Sequence, residues 1–478
     1  MMSSAYSMRV GAVSMIEKAT GGVNKNVVLL IATMSSFLTP FTSSSVNIAL
    51  PSIGIELSLN AVVLGWVATA YLLAAAMFLV PFGRIADITG RKRIFQIGII
   101  IDAVASILGA ASHSGAWLIL CRALQGLGGA MIFGTGVAIL TSAFPLRERG
   151  RVLGINAAAV YAGLAVGPLA GGFLTGHFGW RSIFLFNAFL GLVITVAVLW
   201  KLRGEWAEAR GERFDFAGSV IYSMALVTIM YAFSVLPALW GVWLILIGVL
   251  GLVAFVRWEM RQEHPLLNIG FFRNNTVFAF SNLAALVNYS ATFAVGFLLS
   301  LYLQYVKGFT PQHAGLILMA QPLIMVVCSP IAGGLSDRIE PRIVASIGMA
   351  LTTMGLVMLT FLSSNTGLPF ILISLVILGL GFGFFSSPNT NAVMSSVEGK
   401  FYGVASGTLG TMRLTGQAFS MGMVLLLFAL YIGRVQITAE YYPLFLQSMK
   451  TAFAISAVLC FGGIFASIAR GRTHPVGG

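Results

Sequence analysis

Apolar runs of roughly 18–25 residues recur along the chain, each bounded by charged or turn-forming residues. A helix rises about 1.5 Å per residue and the hydrocarbon of a bilayer is about 30 Å thick, so about 20 apolar residues cross it. The pattern predicts fourteen spanning helices, near 26–50, 62–82, 94–112, 116–140, 151–174, 182–201, 216–236, 238–256, 277–305, 312–334, 342–362, 368–392, 403–430 and 449–469. The first departs from its neighbours. FTSSSVNIALP (41–51) puts Thr42, Ser43, Ser44, Ser45 and Asn47 into a spanning helix, with no charge among them.

Composition agrees with this pattern. Of 478 residues, 58% are hydrophobic and 9% charged, with mean hydropathy +0.92; a soluble domain carries about 25% charged residues. The fold class is an all-α polytopic membrane protein. The net charge of +13 sits in short clusters between apolar runs, the arrangement of juxtamembrane anchors, so membrane lipids and not nucleic acid are the expected contacts. Twenty-two Lys and Arg fall in one set of alternating connections and four (Arg181, Lys307, Arg434, Lys450) in the other. The bias places both termini in the cytoplasm and suits a prokaryotic-type plasma (inner) membrane. Residues 1–25 lack a signal-peptide pattern and read as a cytoplasmic tail. Cys121, Cys328 and Cys460 each lie in an apolar run, which argues against disulfides and metal. There is no phosphate-binding G-x-x-x-x-G-K-S/T string and no nucleophile or metal-ligand constellation. The chain reads as neither an enzyme nor an ATP-driven pump, and no cofactor is expected.

An internal repeat divides the chain. GRIADITGRKR (83–93) follows the second span and GGLSDRIEPRI (333–343) the tenth, aligning Gly83 with Gly333 and Asp87 with Asp337. Same-sense halves are the architecture of a transporter that rocks around a central site. The expected units are a tail (1–25), a six-helix bundle (26–202), a linker with two extra helices (203–264), a second six-helix bundle (265–470) and a tail (471–478). The charged stretches 201–215 and 257–264 read as solvated linkers.

These features resemble the major facilitator superfamily, in its fourteen-helix drug:proton antiporter branch, over residues 27–470. Four motifs carry the resemblance. The loop signature appears as Gly83, Ile85, Ala86, Asp87, Gly90, Arg91 and Lys92, with Ile88 where the family has Arg. The resemblance implies a conformational latch at Gly83, Asp87, Gly90 and Arg91, and at Asp337 and Arg338 in the second half, where Glu340 replaces the second Gly. An Asp at a helix end is also placed to meet the positive N-terminus of a neighbouring helix. The second motif, RALQGLGGAM, carries Arg122, Gln125 and Gly126. A guanidinium within a span is a functional candidate by default, and the family assigns this Arg to proton coupling. The third is GLAVGPLAGG, with Gly163, Gly167, Pro168, Gly171 and Gly172. Small residues four apart let helices approach closely, and in the family this string marks exporters.

The fourth motif is FTSSSVNIALP itself, which has Thr42 where the branch has Asp. A carboxylate can carry a proton across the membrane and a hydroxyl cannot. The one mid-span acid is Asp102, about 12 Å from the basic end of the third span. It reads as a proton site, as an ion pair with Arg122, or as a group facing a polar crevice. Cavity candidates are Thr42, Ser45, Asn47, Gln125, Asn288, Gln304, Gln321, Asn389, Asn391 and Arg413. The expected function is a monomeric secondary active exporter of amphipathic or drug-like small molecules, coupled to protons. The alternative is a facilitator or exporter of anionic or neutral metabolites or lipids.

Overall fold

The computed structural model describes residues 24–471 except 203, 208, 264, 268, 399 and 400. The expected tails therefore lie almost wholly outside the described residues. Among the described residues fourteen helices are long and apolar enough to span a membrane: α1 (Lys25–Glu56), α2 (Ala61–Thr89), α3 (Arg91–Ala110), α4 (Gly115–Ala143), α5 (Leu146–Phe178), α6 (Arg181–Lys201) and α7 (Phe216–Val235). They continue as α8 (Leu239–Glu259), α9 (Thr276–Val306), α10 (Pro311–Ser336), α11 (Pro341–Leu359), α12 (Leu368–Ser395), α13 (Tyr402–Tyr431) and α14 (Tyr442–Ala469). Side-chain oxygens mark several starts: Asn60, Asp215, Asn275 and Thr310 accept from backbone N–H groups two turns or less inside α2, α7, α9 and α10. α14 begins seven residues earlier than the hydropathy suggests, with Pro443 in its first turn, so Lys450 is helical and not in a connection.

The arrangement is two six-helix bundles, α1–α6 and α9–α14, plus the extra pair α7–α8. Within the first bundle α1 packs on α5, α2 on α4, and α3 on α4 and α6; the second repeats the scheme. The bundles meet where α2 crosses α13, α5 crosses α10, and α1 crosses the latter part of α9. α7 lies along the α2–α13 seam, and α8 covers α7 with Trp240, Trp243 and Leu250 exposed. The face bearing 83–93 and 201–215 is termed the basic face, and its opposite the far face.

Glycine sets the closest crossings. A Cβ on Gly163, Gly167 or Gly171 would meet Phe37 O (2.5 Å), Ser44 Oγ (1.9 Å) or Ser45 Cα (2.7 Å), so one face of α5 lies against α1 over about two turns. Gly172 abuts Pro311 O and Gly315 abuts Pro168 O, which brings α5 of one bundle against α10 of the other at the far face. The GLAVGPLAGG string is thus both an intrabundle and an interbundle packing surface.

Gly171→Val should lower stability by about 1–3 kcal/mol through overpacking against Ser45. A fluorescence-monitored melt in detergent checks it; an unchanged midpoint would refute the close α1–α5 packing.

Candidate functional site

Hydroxyls in a spanning helix must find acceptors, and those of α1 find them locally. Ser44 donates to Pro40 O (2.7 Å) and Ser45 to Phe41 O (2.6 Å), each one turn back. The polar stripe then divides by direction. Ser43, Ser44 and Asn47 line a cavity between the bundles. Thr42 turns the other way, into the first bundle, and Ser45 is buried against Gly171.

The cavity holds about 150 Å³ and also takes Pro168 from α5, Tyr289 and Phe293 from α9, Gln321 and Met325 from α10, Phe382 from α12 and Gln417 from α13. Its lining is aromatic and apolar with a few amides and hydroxyls, and no charged side chain is part of it. Such a surface suits an amphipathic molecule held by shape and a few hydrogen bonds. Arg413, one turn of α13 from Gln417, stands behind the wall. It donates to Thr390 Oγ1 (2.6 Å), lies 5.6 Å from the centre of the Tyr289 ring, and leaves its buried Nε without a partner.

Toward the far face α1 and α9 are bonded together, a contact termed the seal. Pro51 has no N–H to give Asn47 O, its normal helical acceptor. Ser300 Oγ of α9 donates to that carbonyl instead (2.7 Å), and Gln304 Nε2 donates to Ile48 O (2.9 Å). Ala61 N donates to Val435 O (2.9 Å) at the same end.

The first bundle contains a buried polar chain that begins at Thr42. Its hydroxyl is in hydrogen-bond range of Leu38 O (2.9 Å) and of Asn187 Oδ1. Asn187 Nδ2, on α6, donates to Asp102 Oδ2 (2.9 Å) and Ser106 Oγ (2.7 Å). Gln125 Nε2 donates to the same serine (2.7 Å), and Arg122 Nη1 donates to Gln125 Oε1 (2.8 Å). Arg122 Nε donates to Val67 O (3.2 Å), and the guanidinium lies 4.5 Å from the centre of the Tyr71 ring. The direct Asp102–Arg122 ion pair considered from the sequence is not formed; Gln125, Ser106 and Asn187 stand between them. Asp102 is 3% exposed and does not line the cavity.

Of the ten cavity candidates, Asn47 and Gln321 line it. Thr42 and Gln125 belong to the buried chain, Ser45 to the α1–α5 contact and Gln304 to the far-face seal. Asn288 is fully buried one residue before the lining Tyr289. Asn389 accepts from Arg470 Nη1 (3.0 Å) and donates to Ser281 O (3.1 Å), bracing the second bundle. Asn391 donates to Asp337 Oδ1 (3.0 Å), and Arg338 is exposed. These residues miss the cavity because helical pitch, invisible in a count of polar residues, turns them toward neighbours. Asn187, the centre of the buried chain, was not among the candidates; the signal was a single amide within the apolar run IFLFNAFLGL.

The signature loop is a corner, not a loop: α2 runs to Thr89, Gly90 takes φ +128°, and α3 starts at Arg91. Asp87 Oδ1 accepts from Arg91 Nε (2.7 Å), and Arg91 Nη1 donates to Ser142 Oγ of α4 (2.6 Å). Asp87 meets this guanidinium where the N-terminus of a neighbouring helix was expected. The 201–215 stretch, expected to be a solvated linker, is docked on the corner. Arg91 N donates to Trp206 O (2.8 Å), Lys92 N to Glu205 Oε1 (2.8 Å) and Ala209 N to Asp87 O (3.0 Å), while Arg84 pairs with Glu212.

Two helical bundles that enclose a cavity and share a repeated corner are the fold of a transporter. The chain belongs to the major facilitator superfamily, whose family model matches residues 32–421 and again 281–477. Several of its relatives are named for drug resistance or export. It is 29% identical over 447 residues to the riboflavin transporter RibZ of Clostridioides difficile, covering 93% of this chain and 97% of that one. It is 30% identical over 414 residues to the tetracenomycin C resistance and export protein of Streptomyces glaucescens, covering 85% and 76%. Among solved structures it is similar to an inward-facing bacterial homologue of the human lysosomal transporter Spinster, with TM-score 0.68, 15% identity and coverage of 94% and 97%.

Asp87→Asn should weaken the corner and slow turnover several-fold while substrate affinity stays close to the parent value. Parallel transport and equilibrium-binding titrations check this; lost affinity with normal turnover would contradict it.

Proposed function

We propose that the protein is a secondary active exporter of amphipathic small molecules, working by alternating access and driven by proton entry. The observation that carries the reading is the uncharged cavity between the bundles, sealed at the far face by Ser300 and Gln304 on the carbonyls of α1. The basic face is cytoplasmic in this reading, and the seal keeps the cavity from the outside. Reversal of the seal and of the opposite corner delivers substrate outward. Export-named relatives across most of the chain support the direction.

The proton site in this reading is Asp102. It is a spanning-segment acid, buried, with one amide donor on its carboxylate and a guanidinium connected to it through three hydrogen-bonded side chains, Asn187, Ser106 and Gln125. The cavity has no carboxylate to attract a lipophilic cation, so the substrates are uncharged amphipaths with a planar aromatic part that Tyr289, Phe293 and Phe382 can hold. The relative named for riboflavin transport agrees with such a substrate. A second reading, proton-independent export of anions, has one observation in its favour: the unpaired guanidinium edge of Arg413 behind Tyr289.

Purified protein in liposomes tests both, with riboflavin as the uncharged probe, an aryl sulfonate as the anion and ethidium as the cation. Uphill movement of riboflavin under an imposed pH gradient is expected, with collapse on adding a protonophore and loss in Asp102→Asn. Equal flux with and without the gradient would overturn proton coupling, and transport of ethidium alone would overturn the substrate class.

A further inference from the structure

We infer that Asn187 and Thr42 form a reversible hydrogen-bond relay that reports the protonation of Asp102 to α1, and through it to the cavity and the far-face seal. The inference rests on the proton-coupling reading above and adds the residues that transmit it.

The atoms of Asn187 are all committed. Both protons of Nδ2 go to α3, one to Asp102 Oδ2 and one to Ser106 Oγ, while Oδ1 accepts from Thr42 on α1. This polarity fits one charge state. An ionised carboxylate only accepts, so the amide must present N–H to it and oxygen to α1.

A proton added to Asp102 reverses the requirement. The neutral carboxyl carries an O–H that needs an acceptor, and Asn187 offers one by turning its amide over. Asp102 O–H then donates to Asn187 Oδ1, and Asn187 N–H donates to Thr42 Oγ1. The Thr42 proton moves to Leu38 O, which is already 2.9 Å away. The hydroxyl of Ser106, now on Asp102 O (2.6 Å), is free to rotate. One proton is gained, and no covalent bond other than the new O–H is formed. The chain of bonds has two settings of opposite polarity.

The relay requires a group on α1 that both accepts and donates. A hydroxyl does this, and a carboxylate or an aliphatic side chain does not. This accounts for a threonine at position 42. The other titratable groups facing Asp102 are Arg122 on α4 and Tyr71 on α2; α1 and α6 present Thr42 and Asn187. Thr42 immediately precedes Ser43 and Ser44, which line the cavity, and lies little more than a turn before Asn47 and Ile48, which hold the seal. A change in the Thr42 bond therefore acts on the element that bears both substrate and gate.

The test compares Thr42→Val, which keeps the volume and removes both hydrogen-bond roles, with Thr42→Ser, which keeps them, and with Asp102→Asn. Riboflavin binding is measured against pH, and uphill and downhill fluxes are measured in liposomes. In the parent, apparent affinity should change by up to about tenfold per pH unit across the titration of one linked proton. Thr42→Val should bind and pass riboflavin downhill with that pH dependence flattened and uphill transport lost, and Thr42→Ser should restore both. A Thr42→Val protein with the parent's pH dependence, where Asp102→Asn has lost it, overturns the relay and leaves the proton site standing. Retained pH dependence in Asp102→Asn instead removes the proton site itself. If Thr42→Val does not fold, Asn187→Leu takes its place. A lower melting temperature with an intact pH profile in either variant means bracing only and overturns the inference.

Discussion

A carboxylate placed among lipid-spanning helices must be surrounded by donors, and the first bundle is organised around that demand. Asp102 cannot be solvated where it sits, so α6 supplies Asn187, and the remaining capacity of that amide draws in Ser106 and Thr42. Gln125 and Arg122 extend the chain to α4, and Val67 and Tyr71 end it on α2. Five helices each contribute a group. The glycines of RALQGLGGAM allow the approach: a Cβ on Gly126 would sit 2.2 Å from Tyr71 O, and one on Gly128 2.9 Å from Asp102 N. The motif that carries the arginine also sets how near its neighbours come.

The seam between the bundles solves a related problem by other means. A proline inside a helix leaves one carbonyl without its donor. Pro51 frees Asn47 O for Ser300, and Pro81 frees Met77 O, which Ser223 of α7 approaches at 3.4 Å. The bundles are thus joined by hydroxyl, amide and backbone N–H donors on backbone carbonyls. Interhelical hydrogen bonds in membranes average about 0.6 kcal/mol each. In the proposed alternating-access cycle this surface parts and re-forms, and several weak bonds, each replaceable by water once the cavity opens to that side, serve it well. The extra pair α7–α8 fits here too, as an outer cover on the α2–α13 crossing.

The fold was legible because lipid leaves the backbone few options: hydropathy gave all fourteen helices, and GRIADITGRKR with GGLSDRIEPRI showed the halves. Asp102 and Arg122 were legible as charges out of place. Their connection was not, since Thr42 and Asn187 are 145 residues apart and nothing along the chain says which way each faces. The 201–215 stretch misled for a different reason. A run of mixed charge has the composition of a solvated linker, yet Glu205, Trp206 and Glu212 match the donors and charge of the 83–93 corner. Trp206 was the clue, an aromatic residue with little reason to sit in a free linker.

The placement of charge also separates the two transport readings. Arg122 and Asp102 compensate one another inside the first bundle, whereas Arg413 has no carboxylate partner among the described residues and adds positive potential beside the cavity. Protonating Asp102 leaves Arg122 uncompensated and raises that potential. For an anion, electrostatics then makes proton and substrate favour each other, which is the sign of cotransport. A cation has the opposite sign, but Arg413 and an acid-free lining oppose its binding in either state. An uncharged substrate feels little of this. In the proposed exporter its exchange with a proton comes from mechanical coupling, a change in α1 that alters cavity and seal together, and α1 carries Thr42 at one end of the buried chain.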